Sequence, residues 1–146
     1  MAHAESAVTI DRPIKEVFGF ILDGVNNILW RDSVREVRLT TGWLQGLGAV
    51  YRQRDKGPFG LSIKTDYTIV ECEPSRTIRF QVIAGPARPA GTYRFEEVGR
   101  STRVTFALDL QPRGLARFMD KKITKTMESE VTMLKNLKRH LEGRNE

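Results

Sequence analysis

The sequence predicts an α+β fold, in which a curved antiparallel sheet of about seven strands wraps around one long C-terminal helix, with two short helices between the first two strands. Three observations carry this prediction. Apolar residues recur with a period of two from Val34 to Leu110, then with a period near 3.6 from Leu115 to Leu141. Ahead of both, the chain reads as one strand followed by two short helical segments.

Taken in order, Val8 and Ile10 alternate with polar neighbours and stop at Asp11-Arg12-Pro13, a short strand running into a helix start. Pro13 suits the first helical position, and Glu16 places a carboxylate at the positive end of the helix dipole. Val17, Phe18, Ile21 and Leu22 follow at helical spacing. Asp23-Gly24-Val25-Asn26-Asn27 breaks that helix, and Ile28 to Arg31 reads as a second short turn ending near Trp30.

The period-two runs are Val37 and Leu39; Val50; Leu61, Ile63 and Ile69; Ile78, Phe80 and Val82; Tyr93 and Phe95; and Val104, Phe106, Leu108 and Leu110. Turn residues bound each run, among them Gly42 to Gly48, Gly57-Pro58, Glu73-Pro74-Ser75, Gly85-Pro86 and Gly99. No helical pattern separates them, so they pair as an antiparallel meander and not as parallel crossover units.

After Pro112 and Gly114, one apolar stripe joins Leu115, Met119, Ile123, Met127, Val131, Leu134, Leu137 and Leu141. A helix of about thirty residues at a 1.5 Å rise spans roughly 40 Å. The helix and the one-sided sheet each have an apolar face to hide, so the helix lies across the sheet.

A chain of 146 residues fits a single domain, 1–146, and its 40% hydrophobic and 29% charged residues exclude disordered and fibrous classes. The apolar runs are too short for a membrane-spanning helix. The start, Met-Ala-His-Ala-Glu-Ser, lacks a cationic segment followed by an apolar one, so a cytoplasmic location is expected. Cys72 is the single cysteine, which excludes an internal disulfide and multi-cysteine zinc sites. His3, at an end expected to fray, and His140 lack the neighbours a histidine triad or metal cluster needs, so neither metal nor cofactor is expected.

The 24 Lys+Arg against 18 Asp+Glu give a net charge of +6, and the sequence pI is near 9.8. Most of the excess lies between Arg113 and Arg144. There Arg117, Lys121, Lys125, Lys135 and Arg139 share one quadrant of the helix, interrupted by Glu128 and Thr132. Two readings follow, a solvated helix face or a docking stripe for anionic membrane lipids at the periphery or for an acidic substrate. No aromatic residue interleaves with these bases and no zinc-finger, helix-turn-helix or RNA-recognition pattern appears, so nucleic acid is not an expected partner.

Several short motifs stand in a specific order: Ile10-Asp11-Arg12-Pro13 with Glu16-Val17-Phe18 and Asp23, then Trp30, then Leu47-Gly48 before Tyr51. They continue as Glu71-Cys72-Glu73-Pro74 with Ile78 and Phe80, Gly91-Thr92-Tyr93-Arg94-Phe95-Glu96, Thr102-Arg103-Val104-Thr105, and Leu134 through Leu137-Lys138 to Glu142. This series, spread over nearly the whole chain, resembles the helix-grip fold of the START-like (SRPBCC, Bet v 1-like) superfamily of polyketide cyclases, dehydratases and lipid-transfer proteins. The resemblance implies a deep cavity between the concave sheet and the long helix, holding an apolar or aromatic small molecule or lipid. It does not select one activity, because the fold hosts carriers, receptors and enzymes.

Within that frame Glu130 falls inside the apolar arc between Met127, Val131 and Leu134. Either it reaches solvent or an arginine on the sheet, or it is a cavity-facing acid that orients or protonates a ligand carbonyl. Tyr67 shares parity with Leu61, Ile63 and Ile69, and Tyr93 with Phe95, which directs both hydroxyls inward; Tyr51 and Gln53 share one face, of undetermined direction. Trp30, placed near the cavity mouth, and Trp43 read as gate or core, Cys72 as a packing or surface residue, and Arg88 as a solvated loop residue or a contact for an anionic substrate.

The ligand-binding set expected from this reading is Trp30, Tyr51, Gln53, Tyr67, Tyr93, Phe95, Met127, Glu130, Val131 and Leu134, with no catalytic residue assigned. The expected function is binding of a hydrophobic small molecule or lipid by a monomer or homodimer. The alternative is a polyketide cyclase or dehydratase using the same pocket.

Overall fold

The computed structural model describes residues 2–42, 46–85, 87–111 and 120–143. The first strand, β1 (Ala2–Ile10), is longer than its apolar alternation suggests, because Ala2 and Ala4 also face the core. It pairs antiparallel with the last strand from Ala2↔Leu110 to Ile10↔Thr102. His3 therefore does not lie at a frayed end, as the sequence reading had it: the strand ladder fixes its backbone, and its ring meets the Asp109 carboxylate.

Pro13 stands one residue before the first helix, α1 (Ile14–Leu22), which buries Val17, Phe18 and Ile21. A 3₁₀ turn at Gly24–Asn26 leads into a single helical turn, α2 (Asn27–Trp30). Gly24 is required there, since a Cβ would fall 2.0 Å from the Tyr67 hydroxyl and 3.0 Å from the Tyr51 ring.

The remaining strands are β2 (Val34–Leu39), β3 (Val50–Lys56), β4 (Ser62–Lys64), β5 (Tyr67–Glu73), β6 (Thr77–Val82), β7 (Ala90–Val98) and β8 (Ser101–Leu110). One antiparallel sheet results, in the order β1-β8-β7-β6-β5-β3-β2, with the short β4 attached to β3. The run Leu61 to Ile69 is thus two strands, and Leu61 lies outside both, exposed. β3 pairs with β4 through Arg54 to Lys56 and with β5 through Val50 and Tyr51, so the sheet bends at Thr65-Asp66. A bulge at Val70 adds curl and exchanges the parity of β5. Tyr67 and Ile69 point inward before it, and Cys72 rejoins the core side after it, opposite Ile78.

The long helix lies in the concave side of the sheet as α3 (Asp120–Val131) and α4 (Leu134–Gly143). It is not the unbroken rod the periodicity predicts. At Thr132-Met133 the ladder tightens to i→i+3 bonds, Met133 N to Glu130 O and Asn136 N to Met133 O, and the Thr132 hydroxyl donates to Ser129 O. Val131, Leu134, Leu137 and Leu141 are buried, while Lys121, Lys125, Lys135 and Arg139 are exposed. Leu115, Arg117 and Met119 lie outside the described residues, and no helix among those described is long and apolar enough to cross a membrane.

Candidate functional site

Where α3 spans the sheet the two surfaces do not close, and a cavity of about 320 Å³ remains. Its walls are apolar: Phe80, Val82, Leu108 and Leu110 from the sheet, Ile123 and Met127 from the helix. Its mouth is marked by Lys56, Lys64, Ala87, Lys122 and Thr126. Its inner end holds the polar groups Arg31, Gln53, Asp55, Tyr67 and Glu130.

These groups form two hydrogen-bonded sets side by side. Arg31, the residue that ends α2, turns its guanidinium inward and reaches Glu130 Oε2 from Nη2 at 3.1 Å. Its guanidinium carbon also lies 5.9 Å from the centre of the Phe106 ring, a cation–π distance. Gln53 accepts from Asn27 Nδ2 at 2.9 Å and donates to Asp55 Oδ1 at 3.1 Å. Asn27 Nδ2 also reaches the Tyr67 hydroxyl at 3.0 Å, and the Thr65 hydroxyl donates to Asp55 Oδ1 at 2.7 Å. Such a cluster survives burial because its members satisfy one another.

Burial and neighbouring charge set the protonation of these groups. Desolvation opposes the Arg31 cation, but Glu130, Tyr93 and Asp55 outweigh it and raise its pKa further. Desolvation raises the Asp55 carboxyl above the ordinary aspartate value, against the pull of Arg31 and the Thr65 hydrogen bond. Burial also raises Tyr67, and pushes Tyr93 up to about 12, so both phenols keep their protons. Arg31 Nε is buried with no hydrogen-bond acceptor among the described residues.

Of the residues singled out from sequence, Gln53, Tyr67, Met127 and Glu130 meet on the cavity wall. Tyr93 lines a recess of about 10 Å³ behind the inner end, beside Asn27 and Arg31. Tyr51 stacks on Tyr67 at 5.1 Å with its hydroxyl on Leu22 O, and Phe95 packs edge-on against Phe18 at 5.0 Å. Val131 and Leu134 belong to the helix–sheet core. Trp30 is not at the mouth: its large ring is buried against Tyr93 and Phe106, at 6.4 and 6.2 Å. Arg88 is exposed and donates to Gly85 O, while Trp43 lies outside the described residues.

The arginine beside Glu130 comes from the end of α2 and not from the sheet. Sequence reasoning missed Arg31, Asp55 and Asn27. Asp55 carried a usable signal, since it shares strand parity with Tyr51 and Gln53. Arg31 and Asn27 carried none, because the path of a four-residue helix decides where their side chains go.

The profile of the family described as polyketide cyclase/dehydrase and lipid transport matches residues 1–142. A crystal structure of a protein from Thermus thermophilus superposes with a TM-score of 0.80 at 19% identity, covering 99% of each chain. A START superfamily protein from Mycobacterium smegmatis gives 0.75 at 12% identity, over 98% of this chain and 99% of that one. The di-domain ARO/CYC BexL from the BE-7585A biosynthetic pathway gives 0.67 at 21% identity, over 94% of this chain and 49% of that one. Among curated proteins none matches the sequence significantly.

Proposed function

The chain belongs to the polyketide cyclase/dehydrase and lipid transport family, and we propose that it binds a hydrophobic small molecule or lipid in the cavity between sheet and α3. The observation that carries this reading is the composition of the cavity: apolar walls, a volume of about 320 Å³, and polar groups gathered at one end. That pattern lets walls supply affinity and a few donors fix orientation. Among the cavity-lining groups Tyr67 keeps its proton and Arg31 its charge, and these are the donors that a neutral ligand oxygen would meet.

The test is an equilibrium titration with the uncharged fluorescent probe N-phenyl-1-naphthylamine. The reading expects one saturable site, and at least about tenfold weaker binding in Ile123→Trp, which fills the outer cavity. No saturable site, or equal binding by the variant, would remove it.

A cyclase or dehydratase reading has one specific support, the raised Asp55 carboxyl in the cavity wall beside a cation. It requires turnover of a poly-β-ketone substrate that Asp55→Asn abolishes while probe binding persists. Absence of turnover across such substrates counts against it.

A further inference from the structure

Charge is distributed unevenly along the cavity. At the inner end Arg31 is paired with Glu130, and the Asp55 carboxylate is taken up by Thr65, Gln53 and Ser33. At the mouth stand Lys56, Lys64 and Lys122, whose ammonium groups make no ion pair among the described residues. Their neighbours there, Ile63, Ala87, Pro89 and Thr126, carry no charge.

The distance between the two ends is short. From Lys122 at the mouth to Glu130 at the inner end α3 advances about 12 Å. An anion driven to the inner end would lose its water beside an arginine already paired with a carboxylate, a costly exchange. An anion left at the mouth keeps most of its water and meets three free ammonium groups. We propose, resting on the ligand-binding reading above, that the ligand is an amphiphile with one anionic group, held by Lys56, Lys64 and Lys122 while its apolar body fills the cavity.

Displacement of N-phenyl-1-naphthylamine at pH 8 by dodecanoate, dodecanol and dodecyltrimethylammonium, each below its micellar concentration, tests this. Dodecanoate should displace the probe at a concentration about tenfold below that of dodecanol, with the cation weakest. The preference should shrink toward unity in Lys56→Gln/Lys64→Gln/Lys122→Gln, and also at about 0.5 M salt, where the Debye length falls to a few ångströms. Acetate, which has the charge without the chain, should displace nothing. Equal displacement by dodecanoate and dodecanol overturns the proposal and leaves the ligand-binding reading standing. A preference that survives in the triple variant assigns the anion to Arg31 and overturns the role of the mouth. Failure of the probe itself to bind would overturn both.

Discussion

Arg31 Nη2 stands 3.1 Å from Glu130 Oε2, which ties the end of α2 to the last turn of α3 at the inner end of the cavity. The side chains are 8% and 15% exposed, so each charge depends on the other for compensation. Removing one partner strands the second in a medium that solvates it poorly.

Glu130→Gln should therefore destabilise the fold by about 3 kcal/mol, whereas replacing both partners, as in Arg31→Met/Glu130→Gln, should cost clearly less than the sum of Arg31→Met and Glu130→Gln. Urea unfolding of the two single variants and the double variant forms the cycle that checks this. Additive costs would show that the pair is not coupled.

Asp55 gives stability a specific pH dependence. Burial raises its pKa in the folded state, so between the unfolded value of about 3.9 and the raised value the folded chain binds more protons. Its contribution is most favourable below the unfolded value and is lost as pH rises through the folded one. Asp55→Asn lacks this term. The wild-type urea midpoint should fall relative to that of the variant as pH increases from about 4 upward. A constant difference across pH would contradict the assignment.

Gly91 pairs across the ladder with Phe80, and a Cβ there would lie 2.1 Å from Phe80 Cζ. Phe80 forms part of the cavity wall. Gly91→Ala should push that ring into the cavity, costing about 2 kcal/mol and weakening uptake of the uncharged probe. Unchanged stability and unchanged probe affinity together would show that the ring has room to retreat elsewhere.

Phe59 holds φ 57° and ψ 27°, the left-handed region, with its side chain fully exposed. An aromatic residue gains nothing from that backbone, so Phe59→Gly should stabilise the fold by about 1 kcal/mol and raise Tm by about 3 °C. Calorimetry showing a lower Tm would mean that the ring makes stabilising contacts in solution.

Much of the architecture is legible in the sequence because two periods, two and 3.6, each persist over long stretches and the turn residues punctuate them. What escapes is local. Ala2 and Ala4 are too small to announce a strand, and the bulge at Val70 reverses inward and outward faces without a composition signal. The helix tightens at Thr132-Met133 although the apolar stripe passes through unbroken. The site follows the same rule. Gln53 and Tyr67 reach the cavity through strand parity, whereas Trp30 and Arg31, adjacent in the chain, divide between core and cavity according to how α2 is seated.

The central claim, that the apolar space under α3 is where a ligand sits, is tested most directly by methyl NMR of the labelled protein titrated with N-phenyl-1-naphthylamine. Shifts should concentrate at Val82, Leu108, Leu110, Ile123 and Met127, with Leu134, Leu137 and Leu141 in the helix–sheet core nearly still. Shifts confined instead to exposed methyls such as Leu47, Val70 and Val98 would place the probe on the outer surface and contradict the account.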